Sequence, residues 1–183
     1  VGSHAVVAAG LGAGRVGLPG ADEIDVVVVA TPPGAIPEVV VDALHRYPKA
    51  VVTDVGSVKG QLVHDIAEAE PDLAARYVPS HPMAGSQYTG PLTASAELFV
   101  DRTWVVTPVE GNDDATVQRV VAIAEETGAR VVVMDPDRHD EAVAQVSHVP
   151  HLMSILTASH LRAVPGEHLR LAGQGTVSYT HLT

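Results

Sequence analysis

Cysteine is absent from the 183 residues, which excludes both a disulfide framework and thiolate chemistry. Aromatic side chains are scarce, at 3%, so a core has to be built from Val, Ala and Leu. That palette suits a parallel sheet covered by helices better than a β-sandwich. Basic residues are few, 11 against 22 acidic ones, and they form no block. The resulting charge of −11 argues against a nucleic-acid partner, because affinity for a phosphate backbone comes largely from Lys and Arg. A small anionic substrate stays compatible, since a few local charges can outweigh the global sign. No stretch reaches the ~18–20 apolar residues that cross a bilayer, and no signal peptide opens the sequence. A cytoplasmic protein without membrane contact is the default expectation. Hydrophobic residues, at 46%, are still plentiful enough to exclude a disordered chain. They suffice for one domain, or for one domain and part of another.

Four valine-rich runs read as buried strands: DVVVVA (25–30), AVVTDV (50–55), TWVVTP (103–108) and RVVVMD (130–135). Between them the spacing predicts helices over 36–47, 61–70 and 114–128. Pro37 falls where a first helical turn tolerates it, and Gly128 is a good C-terminal stop. Strands alternating with helices imply an open parallel α/β sheet, with 103–108 the candidate for the opposite direction. Beyond Pro136 to Asp140 the pattern turns to helix without strands, which places a domain boundary there.

The stretch GLGAGRVG contains a G-x-G-x-x-G match at Gly12, Gly14 and Gly17. Such a motif cradles a pyrophosphate only where it leaves a strand and opens a helix. Here Leu18 to Gly20 read as a turn, and the next apolar run begins at Ile24, seven residues after Gly17. A βαβ unit takes roughly 30 residues, so no crossover helix fits. The three glycines read as a loop.

Open α/β sheets bind ligands beyond the carboxyl ends of their strands. The segments to inspect are therefore TPPG (31–34), DVGSVKG (54–60) and SHPMAGSQYTG (80–90). Of ten histidines, His81 is the most informative: it follows a short apolar segment, precedes Pro82 and leads into a loop at Gly85. A neutral imidazole held there could take a proton from a substrate hydroxyl at physiological pH, although a structural role is equally compatible. Further on, SHVPH (147–151) lies in the helical region, with Ser147 and His151 four apart and on one face. Pro150 disturbs that helix at a cost of ~3 kcal/mol, and such local conflicts concentrate at functional positions. The H-x-x-H spacing lacks the H-E-x-x-H pattern and no Cys joins it, so no metal site is expected.

Taken together, VVVATPPGAI, TDVGSVKG, SHPMAGSQYTGP, MDPDRHDEAVAQVSHVPHL and LAGQG resemble the prephenate dehydrogenases, arogenate-using relatives included, in order and spacing. The resemblance covers about residues 21–175. It implies an α/β fold: a partial Rossmann-like dinucleotide-binding domain over 1–136, then the start of an all-helical dimerisation and substrate domain over 137–176. It also implies NAD or NADP as cofactor, a homodimer, and oxidative decarboxylation of prephenate or arogenate in tyrosine biosynthesis. Hydride leaves the ring carbon that bears the hydroxyl, carbon dioxide is lost and the ring becomes aromatic. Position by position, His81 matches the histidine that takes the hydroxyl proton, and Ser57 the serine that orients it and touches the nicotinamide. His151, Ser147, Ser86 and Gln87 match the substrate pocket, while Thr31, Pro32, Pro33 and Asp54 join Ser57 on the cofactor side. Gln87 stands where relatives often carry an acid, which leaves prephenate and arogenate both open.

Two departures qualify the resemblance. Relatives open with strand, G-x-G-x-x-G, helix and second strand, whereas SHAVVAAGLGAG resembles the helix and loop after that second strand. The fingerprint is thus expected upstream of Val1, on a truncated fragment. Relatives also continue past AGQG into a helix whose Arg binds a substrate carboxylate, whereas Val177–Thr183 reads as a non-native tail. Two alternatives remain. One is another β-hydroxy-acid dehydrogenase, which would rely on a Lys in the helical region, although none follows Lys59. The other is a non-catalytic binding domain that retains the fold.

Overall fold

Branching at Cβ favours extended backbone, and the valine runs accordingly form the strands of the computed structural model, which describes residues 2–85 and 90–173. Ahead of them lies α1 (Ser3–Gly10), a helix without a buried side chain. Strand β1 (Val26–Val29) pairs in parallel with β2 (Val51–Asp54), Val26 opposite Val51 and Val29 opposite Asp54. Every residue of β2 is buried, as expected of a strand covered on both faces. The crossover is α2 (Ile36–Arg46), whose Ile36, Val40, Ala43 and Leu44 form one buried stripe. That stripe packs on Val29, Val52 and Tyr77, and on Leu62 and Ile66 of α3 (Gly60–Ala69). Each large aliphatic side chain contributes about 1.5–3 kcal/mol when fully buried, so this cluster anchors the two strands whose loops concern function. Arg76 seals the end of α2, donating to the carbonyls of Leu44, Tyr47 and Ala50 at 2.6, 3.0 and 3.0 Å. Leu44 lies in the last turn of α2, whose final carbonyls have no partner within the helix.

The other half of the sheet is joined to β2 by Val52, which bridges Tyr77 in parallel and accepts from the Val78 N–H at 2.9 Å. Then come β3 (Ser80–Pro82), β4 (Thr103–Val106) antiparallel to it, and β5 (Arg130–Val133) parallel to β4. The expected parallel sheet is therefore mixed. The described residues between β3 and β4 contain no α-helix, and a chain without a crossover helix returns antiparallel. Helix α4 (Asp114–Glu126) is capped by Asp113, whose carboxylate accepts from the Thr116 N–H at 2.7 Å. It lays Val120, Val121 and Ala124 on Val78, Trp104 and Val106.

The register sets Val29 beside Asp54, and Ser80 beside Val106 and Val133. The bridge of Val52 to Tyr77 puts Pro79 level with Asp54, so Ser80 stands one residue beyond the end of β2. Its hydroxyl donates to the Asp54 carbonyl at 2.8 Å. Strands β1 and β2 end where β3 begins, so TPPG, DVGSVKG and His81 all leave that level on one side. Strands β4 and β5 reach it from the opposite direction.

Gly12, Gly14 and Gly17 lie in the stretch between α1 and a 3₁₀ turn at Ala21–Glu23. They follow a helix and open none. All three have positive φ, and a Cβ at any of them would meet nothing within 4 Å. They supply backbone conformation to a loop.

Residues 1–139 form one compact unit and residues 140–183 a second. Helix α5 (Pro136–Val143) crosses that division. After it come a π-helical turn at Ala144–His148, α6 (Val149–Leu161) and α7 (Gly166–Leu169). Pro150 stands in the first turn of α6, where no helical N–H is needed, and the expected disturbance is taken up by the π turn just ahead of it. No helix among the described residues is long and apolar enough to cross a membrane.

Candidate active site

A buried charge pair holds the loop after β2. Asp54 and Lys59 are both 0% exposed and form an ion pair. The same carboxylate accepts from the Gly56 N–H and the Tyr77 hydroxyl, each at 2.8 Å. Lys59 also donates to the Ser80 carbonyl at 2.9 Å. Burial first, and then the charge and hydrogen bond of Asp54, push the Tyr77 phenol well above its ordinary range, so it stays a neutral donor. Gly56 answers to space, because a Cβ there would stand 2.9 Å from both Asp54 Oδ2 and Ile36 Cδ1. Buried charge is costly unless every partner is in place, so the network stands or falls as a set. What it holds up is the exposed tip, Ser57 and Val58.

This arrangement corrects the expectation for Asp54. Its side chain has no exposed surface, and Lys59, Tyr77 and Gly56 occupy its oxygens. It fixes the loop from below instead of touching a cofactor.

Between the loops after β1 and β2 lies a cavity of about 330 Å³, lined by Pro33, Gly34, Ile36, Gly56, Ser57 and Gln61. That volume is at the lower end for small-ligand sites. Pro33 and Ser57, both predicted on the cofactor side, meet here. Pro32 is exposed, and Thr31 stands just past β1. The Thr31 hydroxyl oxygen is buried with no hydrogen-bond partner among the described residues.

His81 sits two residues past the level of Asp54, half-buried, opposite Val105. Its Nδ1 lies 2.9 Å from Nε2 of His139 on α5. The rings meet edge-on, 5.2 Å between centroids and 76° between planes. His139 is fully buried, and its backbone N–H donates to the Asp135 carbonyl at 2.9 Å.

Sequence reasoning missed Lys59, Tyr77 and His139. A lone Lys between Val and Gly is the available signal for the first, and the HD pair after the last valine run is the signal for the third. Of the other predicted residues, Ser147 lies in the π turn and His151 in the first turn of α6, both exposed, in the second unit. Ser86, Gln87 and Val177–Thr183 lie outside the described residues.

The family model "Prephenate dehydrogenase, nucleotide-binding domain" matches residues 3–133. A probable prephenate dehydrogenase, NovF, from Streptomyces niveus is 33% identical over 91% of this chain and 46% of its own length. A crystal structure of prephenate dehydrogenase from A. aeolicus, in complex with hydroxyphenyl propionate and NAD+, superposes with a TM-score of 0.75 at 30% identity. The match covers 86% of this chain and 56% of that one. Synechocystis arogenate dehydrogenase gives a TM-score of 0.73 at 27% identity, over 86% of this chain and 58% of its own. The chain thus spans about half the length of these relatives.

Proposed function

The chain belongs to the prephenate dehydrogenase family, and from that premise we propose that the protein oxidatively decarboxylates prephenate or arogenate in tyrosine biosynthesis, with NAD or NADP as hydride acceptor. The observation that carries the reading is His81. It stands two residues past the level where β1 and β2 end, next in sequence to Ser80, which bonds both members of the pair that fixes the Ser57 loop. A proton acceptor and a clamped glycine loop leave the sheet on the same side.

Thr31, Pro32, Pro33 and Ser57 are the residues to hold the nicotinamide cofactor. The cavity between their loops, the Thr31 hydroxyl left without a partner among the described residues and the open space at Gly34 fit such a guest. When bound, the cofactor supplies the site that receives hydride. His81 takes the proton of the ring hydroxyl as hydride leaves the carbon bearing it, and loss of carbon dioxide leaves the ring aromatic. Ser57 touches the nicotinamide side and steadies His81, while the resemblance assigns Ser86, Gln87, Ser147 and His151 to substrate binding.

The first unit is read as the cofactor domain, over about 1–136, and 137–176 as the start of a helical dimerisation domain. Leu152, Met153 and Leu156 on α6, each more than half exposed, support a homodimer. A cytoplasmic location accords with a biosynthetic role.

The test uses the full-length gene product, following reduced nicotinamide with each substrate. His81→Asn is expected to lower kcat by about 10²–10⁴-fold while leaving cofactor affinity nearly unchanged. Near-parental turnover in that variant would remove His81 as the base. The ratio of kcat/KM for prephenate and arogenate identifies the substrate.

A further inference from the structure

We propose that His139 is a positioning residue for His81: it accepts the proton on His81 Nδ1 and so holds the lone pair of the ring at Nε2. The inference rests on reading His81 as the proton acceptor, and it assigns a function to a histidine that the resemblance left without one. Two ring nitrogens at 2.9 Å cannot both carry protons, nor can both present lone pairs. One donates and the other accepts. If His139 donated from Nε2, the lone pair of neutral His81 would sit on Nδ1 and its own proton on Nε2. The ring would then have no basic nitrogen for a substrate hydroxyl. If His81 donates from Nδ1, its Nε2 is basic, and neutral His139 carries its proton on Nδ1. Proton abstraction requires the second arrangement.

The same arrangement serves once the proton has moved. His139 is fully buried on α5, so its Nε2 faces His81 Nδ1 without competition from bulk water. When the hydroxyl proton arrives at Nε2, His81 becomes an imidazolium and its Nδ1–H bond to His139 becomes charge-assisted and stronger. No electrons move between the rings. A proton leaves the substrate oxygen and binds Nε2, and the positive charge is steadied through Nδ1. The neutral acceptor thus sets the tautomer before the reaction and stabilises the product of the proton transfer after it.

Two measurements test this. In the ¹⁵N-histidine-labelled chain, long-range proton–nitrogen correlations should show neutral His81 protonated at Nδ1. His139→Phe keeps an aromatic ring but removes the acceptor, and it should move His81 toward the Nε2–H form. His139→Gln restores an acceptor through its amide oxygen and should return the Nδ1–H form. In the full-length enzyme, His139→Phe should lower kcat by about 10²–10³-fold, with KM for substrate and cofactor changed by less than about threefold. His139→Gln should recover at least about tenfold of that loss. Unchanged tautomer and unchanged kcat in His139→Phe would overturn the proposal. If that variant does not fold, a His139→Gln protein with His81 protonated at Nε2 overturns it equally. Full activity of His139→Phe beside an inactive His81→Asn would sink the positioning role and leave the base in place. Full activity of His81→Asn would sink the base itself, while the nitrogen spectra still report on the pair.

Discussion

Two loops in this molecule carry closely spaced glycines. The stretch from Gly10 to Gly17 spells a nucleotide-binding motif, and the stretch from Asp54 to Gly60 spells none of comparable fame. In three dimensions the order reverses. The first loop follows a helix, opens none, and leaves open space around each of its motif glycines. The second contains a glycine whose missing Cβ is demanded by a carboxylate and an isoleucine methyl, each 2.9 Å away. Beneath it lies a charge pair with no exposed surface. The difference teaches that a glycine signals function through what crowds it, and spacing alone does not record crowding.

The contrast can be broken most forcefully at Lys59. Lys59→Met leaves Asp54 buried and uncompensated, and should cost about 3–5 kcal/mol in a urea melt. A loss below about 1 kcal/mol would show that the loop does not depend on the pair. Next in size is Tyr77→Phe, which takes a hydrogen bond from a buried carboxylate and should cost about 1.5–3 kcal/mol. This variant also carries a pH signature. The folded chain holds the Tyr77 proton more tightly than the unfolded chain does, so the stability from this group is complete below pH ~10. It is lost as the pH rises beyond that point, where the unfolded chain releases the proton first. Alkaline melts of Tyr77→Phe should therefore show a shallower decline than the parent. Gly56→Ala, which forces a methyl between Asp54 and Ile36, should cost about 1–3 kcal/mol. The smallest effect is expected at Gly14, where alanine faces the strain of φ +128° but no neighbour, in a loop that buries nothing. A loss within about 1 kcal/mol would keep the two loops distinct. Equal losses at Gly14 and Gly56 would erase the comparison.

The parts of the fold that depend on local preference were legible. Valine runs became strands because branched side chains suit extended backbone, and α2 declared itself through apolar residues at Ile36, Val40, Ala43 and Leu44. The reversed direction of β4 matches the expectation for 103–108, and it follows from the lack of a crossover helix among the described residues between β3 and β4. At the site, His81 drew attention as a histidine before proline at a strand end, while Ser57 was singled out only through the family resemblance. Their support was not legible. His139 reaches His81 across 58 residues and Tyr77 reaches Asp54 across 23, distances over which composition and spacing carry no pairing information. Asp54 was misread for a related reason. A carboxylate at a strand end resembles a ligand contact until the buried cation five residues on is seen to claim it.

The buried amine of Lys59 has a practical side. The chain contains two lysines, and the other, Lys49, has a side chain 73% exposed at the surface beside Asp22. An acylating reagent that attacks lysine amines therefore finds a single lysine on the folded protein, Lys49, far more accessible than its sibling. A dye attached there reports from the turn between α2 and β2 without disturbing the loop that Lys59 secures. Slow labelling of Lys59, read by peptide mass, then becomes a clock for how often that loop comes open.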